Sequence, residues 1–346
     1  MALSQVGLER LNTATTKKIG KRKNIIINGD FRIAERGTSS TSGGYQTVDR
    51  FRCNNANVDE APTQAQHALT SSDTGPYAEG FRFSYHITNG NQTSGAGTSD
   101  SIEILTKLEA GDIANSGWDY TSSSSYLTFS FWVKSSVAQN FFGYLKTADG
   151  TSQRFPFQTG SLSADTWTKI TKKIPGNSNL AFDADAAARV NEGLRIVWAQ
   201  FYGTDKTSSD ATLDTWGAYS SAQQTPDQTS TWYTTNNSTF EITGVQLEVG
   251  EVRTPFETRS LAEEERLCKR YYISTTDFHH ICVNNGESDR WIRFMVEMRD
   301  APTVTTSPTN SVSFAAQNQT KHGFAGNGSG ASLANFNMPW TADAEL

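Results

Sequence analysis

The stretch F-E-I-T-G-V-Q-L-E-V-G-E-V-R-T-P-F-E-T-R-S-L-A-E-E-E-R-L-C-K-R-Y-Y (residues 240–272) packs a strand, a turn and a helix together without slack. Phe240 and Ile242 fall on one parity, and Val245, Leu247 and Val249 on the other. A phase slip at Thr243-Gly244 is the mark of a β-bulge, with glycine supplying the unusual backbone angles. Pro255 stops strand pairing. Ser260-Leu-Ala-Glu263 then forms a capping box, in which the serine oxygen takes the Glu263 amide. Glu263, Glu264 and Glu265 sit at the positive end of the helix, and Lys269 and Arg270 at the negative end. Leu261, Cys268 and Tyr272 line one side, joined by Leu267 and Tyr271, and a short helix with such a stripe must dock on something.

Upstream the pattern is β. Phe81, Phe83, Tyr85 and Ile87 alternate with Arg82, Ser84 and His86, and Leu127, Phe129, Phe131 and Val133 repeat the pattern, so one face of each strand meets a core. Residues 194–203 (L-R-I-V-W-A-Q-F-Y-G) are apolar on both faces and read as a central strand. Turn-rich loops fill 88–100, 204–214 and 220–231. Many short strands without long amphipathic helices predict an all-β protein, a two-sheet antiparallel β-sandwich. The expected organisation is an N-terminal arm (1–23), the sandwich (24–258), a linking helix (259–272) and a small C-terminal β region (273–346). In that last region residues 291–298 alternate as a strand, and little other apolar material is present. So thin a core is marginal alone, and association of copies would remedy it.

The chain has 346 residues, a net charge of −6, 19% charged and 11% aromatic residues. The acidic balance argues against a nucleic-acid partner. No apolar run approaches the roughly 20 residues of a membrane span. The odd, widely spaced Cys53, Cys268 and Cys282 argue against a disulfide framework. Lys17, Lys18, Lys21, Arg22 and Lys23 form a basic cluster that reads either as a solvated tail or as an arm ordering against a larger partner.

No nucleophile elbow, HExxH, P-loop or dinucleotide-type glycine fingerprint is present, and no acid sits in a setting recognisable for glycoside hydrolysis. No cofactor is expected. Asp277, His279, His280 and Cys282 offer at most two ligands per strand face, so no metal site is expected there without symmetry-related copies. Asp183, Asp185 and Glu192 read as a solvated acidic loop in preference to a calcium site. The aromatics Trp118, Tyr120, Trp216, Tyr219, Trp232 and Tyr233 lie in loop-like polar surroundings. They suit a shallow saccharide platform, because sugar rings stack on exposed aromatic faces. They equally suit rings covering sheet edges or filling a subunit interface.

Three segments resemble bacteriophage tail-fibre and related virion structural proteins with a carbohydrate-binding-module-like jelly-roll. They are N-I-I-I-N-G-D-F-R-I-A-E-R-G (24–37) with V-D-R-F (48–51), T-G-V-Q-L-E-V-G-E-V-R-T-P-F-E-T-R (243–259) running into L-C-K-R-Y-Y (267–272), and V-E-M-R-D-A-P-T-V (296–304) with A-D-A-E-L (342–346). The resemblance spans most of the chain from residue 24. It implies a non-enzymatic virion component and a homotrimer, but supplies no ligand site; the expected role is an appendage whose sandwich displays loops to host surface polysaccharide. The alternative is a capsid decoration protein or head fibre, and a depolymerase is a third class. With only the short arm before the sandwich, attachment to the particle is expected through the basic cluster. The oligomer interface is expected at Leu261, Cys268, Tyr271 and Tyr272.

Overall fold

The structure is a computed structural model and describes residues 23–183, 189–276, 279–281, 288–307, 313–329, 335–337 and 339–346. Up to residue 250 the strands are β1 (Ser39–Ser40), β2 (Phe51–Ala56), β3 (Thr63–Ala68), β4 (Phe83–Thr88), β5 (Ser101–Glu109), β6 (Tyr126–Ser135), β7 (Asn140–Thr147), β8 (Gln153–Ser161), β9 (Thr168–Pro175), β10 (Glu192–Tyr202), β11 (Gly217–Ala218) and β12 (Thr239–Val249). Helix α1 (Ala110–Ala114) follows β5, α2 (Thr231–Thr234) precedes β12, and α3 (Leu261–Cys268) follows it. The first sheet has the order β1-β3-β4-β12-β6-β9 and the second β11-β8-β7-β10-β5-β2. The chain crosses between sheets at β1/β2, β2/β3, β4/β5, β5/β6, β6/β7, β8/β9, β9/β10 and β11/β12, which wraps the antiparallel strands into a jelly-roll sandwich.

Alternation explains the core. On β6 the Leu127, Phe129, Phe131 and Val133 side chains are fully buried between the sheets. They meet Trp198 of β10, whose ring lies 5.7 Å from Phe129 and 5.6 Å from Phe131. Phe31, Phe51 and Tyr85 extend the same aromatic layer.

The bulge at Thr243-Gly244 is present: pairing with β6 shifts between Thr243 and Gln246. Gly244 adopts φ 61°, and a Cβ there would lie 2.6 Å from the Phe81 ring. Residues 24–29 lie alongside this irregular part of β12. The Ile25 amide donates to Leu247 O, and Val245 donates to Gly29 O. The Asn24 side chain donates to Val245 O and accepts from the Ile26 and Leu247 amides. Gly29 is required by proximity, since a Cβ would fall 2.1 Å from Val245 O.

The turn 254–259 closes this joint. Glu257 accepts the Lys23 and Asn24 amides at 2.9 Å each. Arg259 donates to Asn24 O, Ile26 O and the Glu257 carboxylate, and pairs with Glu264. Helix α3 begins at Ser260, whose Oγ accepts the Glu263 amide at 3.2 Å, as the capping motif predicts. Its buried face differs from the expected stripe. Glu264 and Cys268 are buried, whereas Leu261 is 53% exposed. Cys268 and Tyr271 pack within the same chain against Ile27 and Ile33. They are therefore intramolecular core residues, and so unavailable as the oligomer interface expected of them. Tyr272 is also buried, under the Arg36 guanidinium at 3.7 Å. The buried carboxylate was misread because its partner Arg259 is supplied by the preceding turn, so a polar residue could occupy the inward position.

Beyond α3 come β13 (Tyr272–Thr275), β14 (His279–Ile281), β15 (Ser288–Arg293), β16 (Thr303–Thr306), β17 (Ser313–Thr320), β18 (Gly323–Ser329), β19 (Asn335–Asn337) and β20 (Trp340–Asp343). They form the small sheets β13-β20-β16, β14-β19 and β15-β18-β17. Ile292, Phe294, Met298, Phe324, Trp340 and Ala342 fill one core. The strand expected over 291–298 ends at Arg293, although burial keeps its phase to Met298. The lobe is tied to the sandwich by charge. Arg50, fully enclosed, lies 3.3 Å over the Tyr271 ring, pairs with Glu345 and donates to Lys107 O at 2.7 Å. Arg36 reaches Asp343 at 3.0 Å and Glu345 at 3.5 Å.

Candidate functional site

Four of the six loop aromatics expected to form a saccharide platform are interior. Trp118, Trp216, Trp232 and Tyr233 are at most 8% exposed. Their polar handles are spent on protein partners, as buried indoles and phenols require. Trp118 donates to Ser125 O, Trp216 to Pro175 O and Trp232 to Thr239 O. Tyr233 donates to Asp100 and stacks on Phe201 at 4.3 Å. These rings pin long loops to the ends of the sandwich. Tyr120, half-buried, packs edge-on against Phe182 at 5.0 Å. Only Tyr219 keeps the expected setting.

Tyr219 belongs to a surface that sequence reasoning did not assemble. The register of the second sheet aligns its outward side chains in rows. One row runs Gln158, Phe142, Ala199, Glu103, Asn54; the next runs Pro156, Tyr144, Val197, Leu105, Arg52; the third runs Arg154, Lys146, Arg195, Lys107. Strand β11 pairs with β8 at Arg154 and Gln153, and the Tyr219 amide donates to Ser152 O, which sets its ring beside the sheet edge. The Tyr219 ring lies 6.4 Å from that of Tyr144, with Lys146 Nζ 4.1 Å above it. Phe142 and Tyr219 are half-buried, whereas Tyr144 and Tyr202 form a buried floor with Leu105, Val197 and Ala199.

The loop between β10 and α2 walls one end. Tyr144 donates to Gln224 Oε1 at 2.6 Å, and Lys206 donates to Ser101 Oγ at 2.7 Å. A cleft of about 180 Å³ opens beside it, lined by Phe201, Tyr202, Thr207, Asp227 and Gln228 among others.

The polar groups of this face are held in fixed positions. Arg52 donates to Asn54 Oδ1 at 2.8 Å, and Asn54 donates to Glu103 Oε1 at 2.9 Å. Arg195 binds Glu192 through two bonds of 2.9 and 3.0 Å, and Lys107 reaches the same carboxylate at 2.8 Å. Burial opposes the charge on Glu192, but Arg195 and Lys107 overcome it and hold its carboxyl below the usual range. Burial, with Arg195 and Lys107 nearby, lowers the Lys146 ammonium. Planar, pre-positioned amide, guanidinium and carboxylate groups beside half-exposed rings can bind vicinal hydroxyls while a ring packs on the sugar face. The available signal was the outward parity of F-F-G-Y-L-K (141–146), whose inward partners Phe141 and Leu145 are core.

Of the basic cluster, Lys17, Lys18, Lys21 and Arg22 lie outside the described residues. Lys23 is bound to the turn at Glu257. Asp277 and Cys282 lie outside the described residues, and so does Asp185. Glu192, considered for calcium, is committed to Arg195 and Lys107. Cys53 and Cys268 are buried free thiols, and burial pushes the Cys53 thiol up to about 12. Among the described residues, the side chains of His67, His86 and Glu241 bring three metal-competent donor atoms together.

No family model matches the chain, and no curated protein sequence does. Among solved structures it is similar to the enzymatically active domain of tailspike protein 4 of bacteriophage CBA120, at 7% identity and TM-score 0.33 over 66% of this chain. The chain spans 21% of that structure's length. It is also similar to a protein of Bacteroides thetaiotaomicron named as sugar-binding (12% identity, TM-score 0.37, 66% of this chain and 100% of that one). A third is the family 11 carbohydrate-binding module of a cellulosomal cellulase of Clostridium thermocellum (12%, TM-score 0.27, 62% and 96%). The fold assignment rests on the strand order and not on these likenesses.

Proposed function

We propose that the chain is a non-enzymatic bacteriophage virion appendage protein that binds host surface saccharide through the outer face of its second sheet. The observation that carries this reading is that face itself: half-exposed Phe142 and Tyr219 beside pre-positioned Arg52, Asn54, Glu103, Lys146 and Arg195. The virion setting comes from the sequence resemblance, and the basic arm is proposed as the attachment to the particle. The functional form is a homotrimer, assembled through the C-terminal lobe, where Trp291 is 48% and Met295 100% exposed. Trimeric display multiplies weak individual contacts by effective concentration.

The test is calorimetric titration of the purified protein with host capsule and lipopolysaccharide fragments, alongside light scattering and a reducing-sugar assay. Phe142→Ala and Tyr219→Ala should each weaken saccharide binding about tenfold, that is about 1.4 kcal/mol. No reducing sugar should be released. Absence of saccharide binding, or binding indifferent to both substitutions, overturns the assignment of this face; released sugar overturns the non-enzymatic role, and a monomer overturns the trimer.

A further inference from the structure

The outer face of the first sheet, on the other side of the sandwich, carries a second constellation. Three neighbouring strands each present one donor: His67 from β3, His86 from β4 and Glu241 from β12. Register fixes the arrangement, since His86 pairs with both Ala65 and Glu241, and His67 pairs with Ser84. Nδ1 of His67 lies 3.1 Å from Glu241 Oε2, and Nδ1 of His86 lies 3.4 Å from Oε1. One ligand atom from each residue lies within 4.8 Å of the others. Tetrahedral metal bonds of about 2.0–2.2 Å place neighbouring ligand atoms about 3.4 Å apart, so these separations suit a common ion.

The tautomer of His86 adds weight. Its Nε2 lies 3.0 Å from Thr88 Oγ1, while its Nδ1 is enclosed and has no hydrogen-bond partner within the usual geometry. With the proton on Nε2 and donated to Thr88, the Nδ1 lone pair faces the Glu241 carboxylate and a bound cation between them satisfies both; with the proton on Nδ1 instead, Nδ1–H points to Glu241 and Nε2 accepts from Thr88 Oγ1. A ligating histidine held through its other nitrogen is the usual supporting contact in metal sites. Two imidazoles and one carboxylate suit Zn²⁺, Ni²⁺, Co²⁺ or Cu²⁺ in preference to Ca²⁺ or Mg²⁺. Glu241 is 3% exposed at its side chain, whereas His67 is 49% exposed and leaves an approach from solvent.

One group works against a metal. Lys134 Nζ lies 2.9 Å from Glu241 Oε1 and 3.0 Å from Asp73 Oδ1, so the metal-free carboxylate is already neutralised. Ser84 Oγ donates to Oε2 at 2.7 Å and keeps the carboxylate oriented.

We propose that His67, His86 and Glu241 form a transition-metal site of the zinc class, with Lys134 as the cation a metal must displace or share. The site is independent of the saccharide face. Its occupation ties β3, β4 and β12 together from outside.

The experiment is titration of the untagged full chain with ZnCl₂, followed by calorimetry and melting temperature, and with CoCl₂, followed by visible absorption. The site requires one Zn²⁺ per chain with a melting temperature raised by saturating metal. His67→Ala and His86→Ala should each abolish binding while leaving the metal-free melting temperature within a few degrees, and Lys134→Met should tighten it about tenfold. Tetrahedral cobalt absorption should be lost in both histidine variants. No metal-dependent shift at about 100 µM Zn²⁺ overturns the site, as does stoichiometric binding that survives either histidine substitution. Weaker binding in Lys134→Met overturns the competitor role.

Discussion

Replacing Glu264 with alanine tests the joint between sandwich and helix most directly. The Glu264 carboxylate, buried on α3, accepts the Asn28 amide at 2.5 Å and Arg259 Nη1 at 3.2 Å, with Arg32 Nη2 at 3.9 Å. Truncation leaves a buried guanidinium short of one carboxylate and an amide without its acceptor. Breaking a buried pair from one side costs about 3–5 kcal/mol. Glu257 remains bound to Arg259, which argues for the lower half of that range. At roughly 2–4 °C per kcal/mol, the melting temperature should fall by about 6–16 °C. Glu264→Gln keeps the acceptor and loses only the charge, so it should lose about half as much. Guanidinium unfolding followed by tryptophan fluorescence, with calorimetry as a check on cooperativity, measures both. A cost below about 1 kcal/mol for the alanine variant would refute the claim that this carboxylate holds the joint.

Gly244→Ala should destabilise by about 1–3 kcal/mol, because alanine must adopt positive φ and meets the Phe81 ring; urea midpoints measure it, and a neutral result removes the bulge argument. Asp49 gives a pH signature of unusual sign. Burial pushes its carboxyl up to about 7 from 3.8, with Arg36 opposing and Glu345 and Glu35 reinforcing the rise. Arg36 lies 3.8 Å away but closer to Asp343 and Glu345, so its charge is largely engaged elsewhere. Between these values the folded state binds the extra proton, so this group's contribution to stability is full below about pH 4 and declines as pH rises toward 7. Asp49→Asn should therefore gain on the wild type across that window in melting temperature, and a difference flat with pH counts against the shift.

The parts of the fold that were legible in the sequence are those set by neighbours in the chain. The Gly244 bulge, the Ser260 cap and the inward parity of β6 follow from backbone angles, a local hydrogen bond and alternation. The helix stripe was misread at Leu261 and Glu264 because Arg259 and Asn28 supply the carboxylate's partners, one from the turn before it and one from over two hundred residues upstream. The platform aromatics were misassigned for a related reason. Trp118, Trp216 and Trp232 sit in polar sequence, yet fold inward because each indole finds a backbone carbonyl. Phe142 and Tyr144 were passed over because they alternate with core residues, and only strand register shows that they share a face with Arg52 and Arg195. The same register assembles His67, His86 and Glu241, which are scattered over more than half the chain.

The order of synthesis gives the Arg50–Glu345 pair a further meaning. Arg50 is enclosed within the sandwich side of the molecule, and its carboxylate partner is made almost three hundred residues later. Until residue 345 has left the ribosome, the nascent sandwich holds an arginine whose charge lacks its carboxylate partner, even after Tyr271 has been made. Chains interrupted before that point should stay incompletely closed at this corner and be exposed to proteolysis. The pairing thus makes closure of the sandwich a check on the synthesis of the C-terminal lobe.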